Sequence, residues 1–462
     1  MAIPASGVRT EVRANLGLAL PLIAAQLAGV GMGTVDTIFA GRLGPEALAA
    51  VAVGVNLNVV FFVFFMGVLM ACSPVVAHMV GAGRPLPHMA AFVGRARRFA
   101  VLLALLWAGG LNLAAAPVVD SLHLDPETAR LAVRFMRALS ASAPGMCLYF
   151  TLRFSAEGLG RTRPIVLAGL AGLGGNALLD WLLLFGHFGL PRLGAVGCGV
   201  ATSISSLLMA GTLHLLYRRG ALRGLLPVPG GVQDVAEGVR DILRTGLPIG
   251  LMLVAEAGLF VLAALLMARF GDATVAAYQI AINFAALVFM IPLGVGLATT
   301  VRVGHAAGAG APAAARFRGL VGMGLGIANA ASNAAIMAGL AAPIVAVYTT
   351  DAAIGRHAAG FLLLAAVFQL FDGLQVTANG ALRGIKDTRV PMLITLVAYW
   401  LVGLPVAWWL AFRAGGDGMG PDGLWWGLTA GLGAAAAGLS LRYLRRTRGG
   451  VAAAGPVGAG GT

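Results

Sequence analysis

Four acidic residues lie within long apolar runs of this sequence: Asp36, Asp180, Glu256 and Asp372. An ionised carboxylate at the centre of a membrane helix costs ~2.5–3.5 kcal/mol on insertion scales. A carboxylate at this depth is tolerated when a cation binds to it. Its protonation or ion occupancy can then be coupled to the conformation of the protein. We expect this role first for Asp36. The alternatives are an interhelical hydrogen bond or an acid that faces a water-filled vestibule.

Three polar residues further along the first half could join Asp36. Asn176 and Asp180 are four positions apart and share one face of a helix, and Thr202 lies in the next apolar run. Together the four residues offer two carboxylates, an amide oxygen and a hydroxyl. These are hard oxygen ligands for a small metal cation such as Na+, or the groups of a proton relay. A purely structural polar patch is equally compatible with the spacing.

The second half has its own acids, Glu256 and Asp372. They predict a second cation site or a site for a cationic substrate, with two solvated acids in a wide cavity as the alternative. Gln279 and Asn283 lie in an apolar run between them and either contact substrate or bond neighbouring helices. Pro21 stands early in the first apolar run, where it removes a backbone hydrogen bond and acts as a hinge or as an ordinary kink.

Composition places these residues in a membrane. Of the 462 residues, 59% are hydrophobic and 11% are charged, and the 67 glycines allow close packing of membrane helices. The net charge of +14 is spread in short clusters between apolar runs, which is a topology signal and not a nucleic-acid surface. The sole lysine, Lys386, is not part of a P-loop, and no HExxH motif is present. We therefore expect no ATP hydrolysis, no intramembrane enzyme and no cofactor.

We predict twelve transmembrane helices, because twelve runs are about 20 residues long or more. Arg134 and Arg137 near the start of the fourth run make it the weakest. The runs cover residues 14–39, 46–73, 99–118, 128–152, 164–188, 194–217, 241–268, 273–301, 319–346, 352–380, 391–412 and 422–441.

Basic residues are distributed unevenly between the two sides of the predicted membrane. Of the 32 Lys and Arg residues, 24 lie at the termini or in the loops after even-numbered helices, and six lie in the opposite loops. This bias predicts that both termini are cytoplasmic. We expect the chain to lie in a bacterial inner membrane. The cytoplasmic set includes Arg153 and Arg383, and the acids Glu11 and Glu157 are assigned to the same side.

The two halves of the chain are diverged copies. The shift along the sequence that carries Pro21 onto Pro248, here called the repeat offset, also carries Asn56 onto Asn283 and His78 onto His305. Each half has six helices, so we predict an all-α fold of two six-helix lobes related by a parallel pseudo-two-fold repeat. The lobes cover residues 1–219 and 239–446, with a cytoplasmic linker at 220–238 and a disordered tail at 447–462.

Three stretches resemble the multidrug and toxic compound extrusion family. VDTIFAGRLGPEALAAVAVG (Val35–Gly54) is similar to its first-helix signature, and LGAVGCGVATSI (Leu193–Ile204) to its sixth helix. NGALRGIKDTRVPM (Asn379–Met392) is similar to its connection between the tenth and eleventh helices. The resemblance implies a V-shaped, two-lobed exporter that exchanges Na+ or H+ for cationic, amphipathic drugs.

The resemblance also implies roles for single residues. Asp36 matches the first-helix acid, and Asn176, Asp180 and Thr202 match the first-lobe cation site. Glu256 and Asp372 match the second-lobe acids of the NorM-like branch, and Gln279 and Asn283 match positions lining its cavity. The family's tenth-helix tyrosine is Phe368 here, which offers a ring face to a cation but no hydroxyl ligand. We therefore expect the first lobe to carry the coupling site.

The expected function is multidrug efflux by a monomeric antiporter. Its expected partners are small cationic, amphipathic drugs, the coupling ion Na+ or H+, and the lipid bilayer, without nucleic acid. The alternative is a lipid-linked oligosaccharide flippase of the same superfamily, which also has duplicated six-helix lobes. A flippase would need a cationic, Arg-rich cavity, whereas the charges expected at membrane depth here are acidic.

Overall fold

The computed structural model describes residues 5–219, 235–413 and 418–448, and every regular element within these ranges is a helix. The helices of the first half are α1 (Ala5–Leu43), α2 (Pro45–Met70), α3 (Cys72–Gly81), α4 (Leu86–Ser121), α5 (Pro126–Ser140), α6 (Ala143–Gly158), α7 (Arg163–Phe185) and α8 (Ala195–Arg219). Short 3-10 turns follow α7 at His187–Gly189 and precede the second helix of the other half at Ala268–Phe270.

Within its described residues the second half contains eight further α-helices and one π-helical stretch, Val397–Gly403. Its α-helices are α9 (Val235–Met267), α10 (Asp272–Gly308), α11 (Pro312–Gly339), α12 (Ala341–Tyr348), α13 (Ala352–Gly384), α14 (Arg389–Leu396), α15 (Leu404–Phe412) and α16 (Pro421–Arg448). The predicted all-α class is confirmed. Of the predicted linker, residues 220–234 lie outside the described residues and 235–238 begin α9, and the predicted tail lies outside them from residue 449 onward.

Eleven stretches of the described chain are long and apolar enough to cross a membrane. The fourth predicted run, 128–152, is not one of these eleven, because no single helix covers it. The chain there forms α5 and α6, of 15 and 16 residues. Pro144, in the first turn of α6, has no N–H for the carbonyl of Ser140, and this interrupts the helix. Arg134 and Arg137 lie on the exposed face of α5.

The described residues pack into two units. One unit contains those within Met1–Ile23, Ala77–Gly83 and Ala255–Thr462, and the other contains Ala24–Val76 and Arg84–Val254. Helix α1 changes unit after Ile23, two residues beyond Pro21, and α9 changes unit after Val254. The lobes 1–219 and 239–446 are defined by the sequence repeat and not by packing, and they stay a prediction.

Each unit contains a close helix contact at a glycine, and the two contacts occupy equivalent positions of the repeat. In the unit that contains α2, a Cβ on Gly67 would lie 2.6 Å from Cα of Gly250 on α9. In the unit that contains α10, a Cβ on Gly294 would lie 2.4 Å from Cγ1 of Ile23 on α1. The repeat offset relates the two pairs, since it carries Gly67 onto Gly294 and Ile23 onto Gly250. The internal repeat is therefore visible in the packing as well as in the sequence.

The first half of α1 is fastened within its unit by a buried ion cluster. Glu11 is 5% exposed, although the sequence analysis assigned it to a terminal segment. Arg302 donates to both of its carboxylate oxygens, at 2.7 and 2.5 Å, and Nε of Arg318 lies 3.6 Å away. One turn further along, Nδ2 of Asn15 donates to Oγ1 of Thr299 at 3.1 Å. Burial of the charge is tolerated because two arginines neutralise it.

Candidate functional site

Helices α1, α7 and α8 bring together all four residues predicted for the first cation site. Helix α7 carries Asn176 and Asp180 on one buried face, both 0% exposed. Glycines on α7 allow α8 to approach closely: a Cβ on Gly172 would lie 2.4 Å from Cγ of Met209. This close packing brings Thr202, on α8, to the same place.

Asp36 accepts hydrogen bonds from both neighbouring helices. Nδ2 of Asn176 donates to its Oδ1 at 3.1 Å, and Oγ1 of Thr202 donates to its Oδ2 at 3.1 Å. The Thr202 hydroxyl also lies 2.9 Å from the carbonyl oxygen of Cys198. A hydroxyl has one proton, so it satisfies one of these two acceptors at a time.

The cluster has more acceptors than donors. Oδ1 of Asn176 and both carboxylate oxygens of Asp180 are buried without a hydrogen-bond donor among the described residues. Asp180 also interacts electrostatically with Asp36. Two buried carboxylates that interact in this way repel each other unless a proton or a cation lies between them. The orphaned oxygens therefore fit a hard monovalent cation or a shared proton.

The described part of the chain has no cluster of side chains suited to a soft metal ion. No group of three or more His, Cys, Asp or Glu side chains is close enough to hold a metal ion there. The three cysteines are buried and free. A site of two carboxylates, an amide and a hydroxyl can instead bind and release a weakly held ion such as Na+ or H+.

The two acids of the second half also come together. Glu256 lies on α9 and Asp372 on α13, and the two interact electrostatically. Asp372 is 6% exposed, whereas Glu256 is half-buried. The positive charge of Arg383, at the end of α13, attracts the carboxylate of Glu256. The acidic pair is thus partly balanced by a basic residue of the same unit.

The predicted substrate residues do not form one group in the structure. Gln279 and Asn283 lie one turn apart on the exposed face of α10, and Oδ1 of Asn283 accepts from the Tyr348 hydroxyl at 3.4 Å. Phe368 is 5% exposed and packs edge-on against Trp425 at a centroid distance of 6.3 Å. Their contact with a substrate stays a prediction.

Pro21 lies inside α1, which continues as a helix on both sides of it. The residue is half-buried. The change of packing unit after Ile23 falls next to it. A hinge at Pro21 stays a prediction that this position favours.

Sequence reasoning missed a buried polar chain on α6. Arg153 and Glu157 were assigned to a cytoplasmic loop, but they are 6% and 0% exposed. Oγ of Ser73 donates to Oε1 of Glu157 at 2.9 Å, and Arg153 donates to the side chain of Gln26. The apolar run stops near residue 152, whereas the helix continues to Gly158 because these polar groups are paired inside the protein.

Arg383 was missed for the same reason. It was counted as a residue of the loop between the tenth and eleventh predicted helices, but it lies on α13 and is 6% exposed. The helix continues to Gly384, beyond the apolar run. The signal that marks both sites is a basic or acidic residue directly before a helix-ending glycine.

The sequence model described as MatE matches the chain twice, at residues 21–182 and 248–409. The second match is displaced from the first by the repeat offset found within the sequence. The multidrug resistance protein PmpM of Pseudomonas aeruginosa is 39% identical over 443 residues, which cover 96% of this chain and 93% of that protein.

Solved structures share the fold. The Vibrio cholerae MATE transporter VcmN in its bent form superposes with a TM-score of 0.86 at 18% identity, covering 96% of this chain and 98% of that one. The eukaryotic MATE transporter AtDTX14 gives a TM-score of 0.83 at 22% identity, covering 96% and 99%. The twofold match of the family model, the relative of similar length and the shared fold lead to one conclusion: the chain belongs to the MatE family of multidrug and toxic compound extrusion transporters.

Proposed function

We propose that this protein is a multidrug efflux antiporter that exports cationic, amphipathic compounds in exchange for Na+ or H+ moving inward. The name of PmpM, a multidrug resistance protein similar over 96% of this chain, supports the drug-export part. The cluster of Asp36, Asn176, Asp180 and Thr202 supports the ion-coupling part, because three of its buried acceptor oxygens, Oδ1 of Asn176 and both carboxylate oxygens of Asp180, lack donors within the described residues. That cluster is the observation that carries the proposal.

The cluster suggests how ion and drug alternate. In the outward-open state a cation binds at Asp36 and Asp180, which changes the packing of α1 beyond Pro21 and lowers the affinity for drug. The drug leaves, and the protein returns the cation to the cytoplasm. Only a difference in affinity between the two states can drive this exchange. A membrane potential of about 100 mV adds ~2.3 kcal/mol per positive charge moved inward.

Transport into vesicles tests the proposal directly. The purified protein is reconstituted, and uptake of ethidium is measured with a sodium gradient or a proton gradient imposed alone. One of the two gradients is expected to drive transport, and Asp36→Asn is expected to reduce the rate to that of protein-free vesicles. Asp120→Asn makes the same change of charge at an exposed position and is expected to leave the rate unchanged.

Two outcomes would contradict the proposal. If neither gradient drives ethidium transport, the proposed export of drugs is wrong. Undiminished transport by Asp36→Asn would remove Asp36 from the coupling mechanism. The NorM-like branch, the monomeric state, the inner-membrane location and the cytoplasmic termini belong to the same proposal.

A further inference from the structure

Ion pairs tie the turn before α14 to the end of α16, within one packing unit. Nε of Arg442 lies 2.9 Å from Oδ2 of Asp387, and Nε of Arg446 lies 3.5 Å from the same oxygen. One turn before Arg442, a Cβ on Gly438 would lie 2.7 Å from Cγ2 of Ile394, so the helices are in close contact. The start of α14 and the end of α16 therefore lie side by side.

Basic residues outnumber acidic ones at these two helix ends. The single carboxylate of Asp387 neutralises one arginine, and Arg442 lies nearer to it than Arg446 does. Arg446, whose side chain is 50% exposed, therefore keeps a positive charge in excess. Arg389 is exposed and begins α14 two residues after Asp387, a span of at most about 7 Å. It forms no ion pair with another residue of the described chain. Arg389 and Arg446 are thus accessible cations from two helices, close to one carboxylate.

The turn between α13 and α14 has a strained backbone. Lys386, the sole lysine of the chain, is exposed and has a φ of 57°. This left-handed conformation is uncommon for a residue with a Cβ atom and occurs most often where the surrounding structure fixes the chain, as at ligand sites. The strained turn therefore holds a third basic side chain beside Asp387.

An exposed apolar stripe leads from Arg389 along the next helical turns. Leu393, Val397 and Leu401 follow Arg389 at intervals of four residues, and they are 54%, 49% and 70% exposed. This spacing keeps them on one side of the helix. Twelve residues rise about 18 Å, which is close to the ~15 Å of hydrocarbon in one leaflet of a bilayer. The stripe therefore has the length of an acyl chain and ends at a positive charge.

The chain itself offers no counterion for this end of the unit beyond Asp387. Residues 449–462, which follow α16 in the sequence, contain no acidic side chain. A ligand that fits must therefore come from outside, with a negative charge at one end and an apolar chain at the other. An anionic phospholipid has both parts.

We propose that Arg389 and Arg446 bind the phosphate of an anionic phospholipid whose acyl chain lies along Leu393, Val397 and Leu401. Guanidinium groups form paired, charge-assisted hydrogen bonds with phosphate oxygens. The basic residues predict that this end of the helices is cytoplasmic, and the cytoplasmic leaflet is the one with a negative surface. The lipid is not the exported compound, because a basic site selects anions whereas the proposed drugs are cations. This inference does not depend on drug export.

Lipid binding to the purified protein tests the proposal. Phosphatidylglycerol, which is anionic, or phosphatidylcholine, which has no net charge, is added in detergent, and bound lipids are counted by native mass spectrometry. We expect the wild type to bind phosphatidylglycerol in preference. Arg389→Gln combined with Arg446→Gln should weaken that binding about 30-fold, the equivalent of two charges at ~1 kcal/mol each.

The control removes two charges elsewhere on the same predicted side. Arg84 and Arg161 are exposed and lie outside α14 and α16. Arg84→Gln combined with Arg161→Gln should change the affinity less than threefold. An equal loss in the two double variants would show general attraction between a basic protein and an anionic lipid, and would overturn the proposal.

A single substitution covers the case in which the double variant does not fold. Arg389→Gln leaves both ion pairs of Asp387 in place. It should weaken phosphatidylglycerol binding about fivefold, the equivalent of one charge at ~1 kcal/mol. An unchanged affinity in this variant would contradict the proposed site.

Two further outcomes identify a different ligand. Inorganic phosphate in about hundredfold excess should leave the lipid bound, because the acyl chain contributes to its affinity. Displacement of the lipid by inorganic phosphate would show a site for free anions and not for a lipid. Equal binding of phosphatidylcholine and phosphatidylglycerol by the wild type would show that the arginines do not select the head group. Either result would overturn the inference.

Discussion

At the scale of single residues, the Thr202 hydroxyl is shared between two acceptors of the first site. It lies 3.1 Å from Oδ2 of Asp36 and 2.9 Å from the carbonyl oxygen of Cys198. When a proton or cation occupies the Asp36 carboxylate, the hydroxyl can turn to the carbonyl without leaving a buried donor unpaired. The residue therefore adjusts the site to both of its states.

We expect Thr202→Val to tighten binding of the coupling ion about 10- to 100-fold, because the lost hydrogen bond, which contributes ~1.5–3 kcal/mol to a charged group, stabilises the ion-free carboxylate of Asp36. Thr202→Ser keeps the hydroxyl and should remain within a few-fold of wild type. The half-maximal ion concentration for ethidium transport is the measurement.

The repeat supplies a matched control for this experiment. Thr429 is the residue at the corresponding position of the second half, and its hydroxyl donates to the carbonyl oxygen of Trp425 at 2.8 Å. Thr429→Val removes the same type of bond without removing a contact to an acid. A shift as large as that of Thr202→Val would show that the effect is one of helix packing and not of ion binding.

At the scale of elements, α1 and α9 each belong to two packing units, and polar contacts fix the starting half of α1. Glu11 is held by Arg302 and Arg318, and Asn15 by Thr299. An ion cluster of this kind is costly to break from one side, because the remaining charges stay buried without a counterion.

Glu11→Gln should destabilise the protein by about 1–3 kcal/mol, less than the ~3–5 kcal/mol of a fully buried pair, because its arginines are 22% and 25% exposed. The measurement is the change in unfolding free energy from denaturant titration of the purified protein. Glu127→Gln breaks the pair with Arg130, whose side chains are 66% and 60% exposed, and should have nearly no effect. Equal effects of the two substitutions would show that the Glu11 cluster has no special role in stability.

The crossing of α2 and α9 depends on two glycines. Gly67→Ala would place a methyl group 2.6 Å from Cα of Gly250, where backbone has to move. We expect a loss of about 1–3 kcal/mol in unfolding free energy. Gly174→Ala, on an exposed face of α7 with no atom within 4 Å of the new methyl group, should be neutral or slightly stabilising. A neutral Gly67→Ala would contradict the tight crossing.

At the scale of the whole molecule, the two halves keep the same alignment of helices, but their acidic residues lie at different positions. The family model matches the two halves at the repeat offset, from residue 21 and again from residue 248. The acids do not follow that offset, since Asp36 corresponds to Ala263 and Glu256 to Gly29. Each half therefore has its own acidic site, on a shared helical framework.

Reporter fusions test the predicted orientation of this framework. The excess of basic residues on one side predicts a cytoplasmic C-terminus. A green fluorescent protein fused there should be fluorescent, and alkaline phosphatase at the same position should be inactive, because phosphatase folds only outside the cytoplasm. The opposite pair of results would place the termini outside.

The sequence by itself determined the membrane class, the repeat and the identity of the acids at membrane depth. These properties are local or periodic: an apolar run of sufficient length must lie in lipid, and a constant offset survives divergence. The sequence also supplied Asp36, Asn176, Asp180 and Thr202 as candidates. Their convergence was only an expectation, because a spacing of 140 residues between Asp36 and Asn176 does not fix a contact.

Only the tertiary structure decided which polar groups are buried with partners. It showed that α5 and α6 are separate helices and that Arg153, Glu157 and Arg383 are enclosed. The physical reason is that the cost of a buried polar group depends on partners from other helices, which hydropathy along one chain segment does not contain.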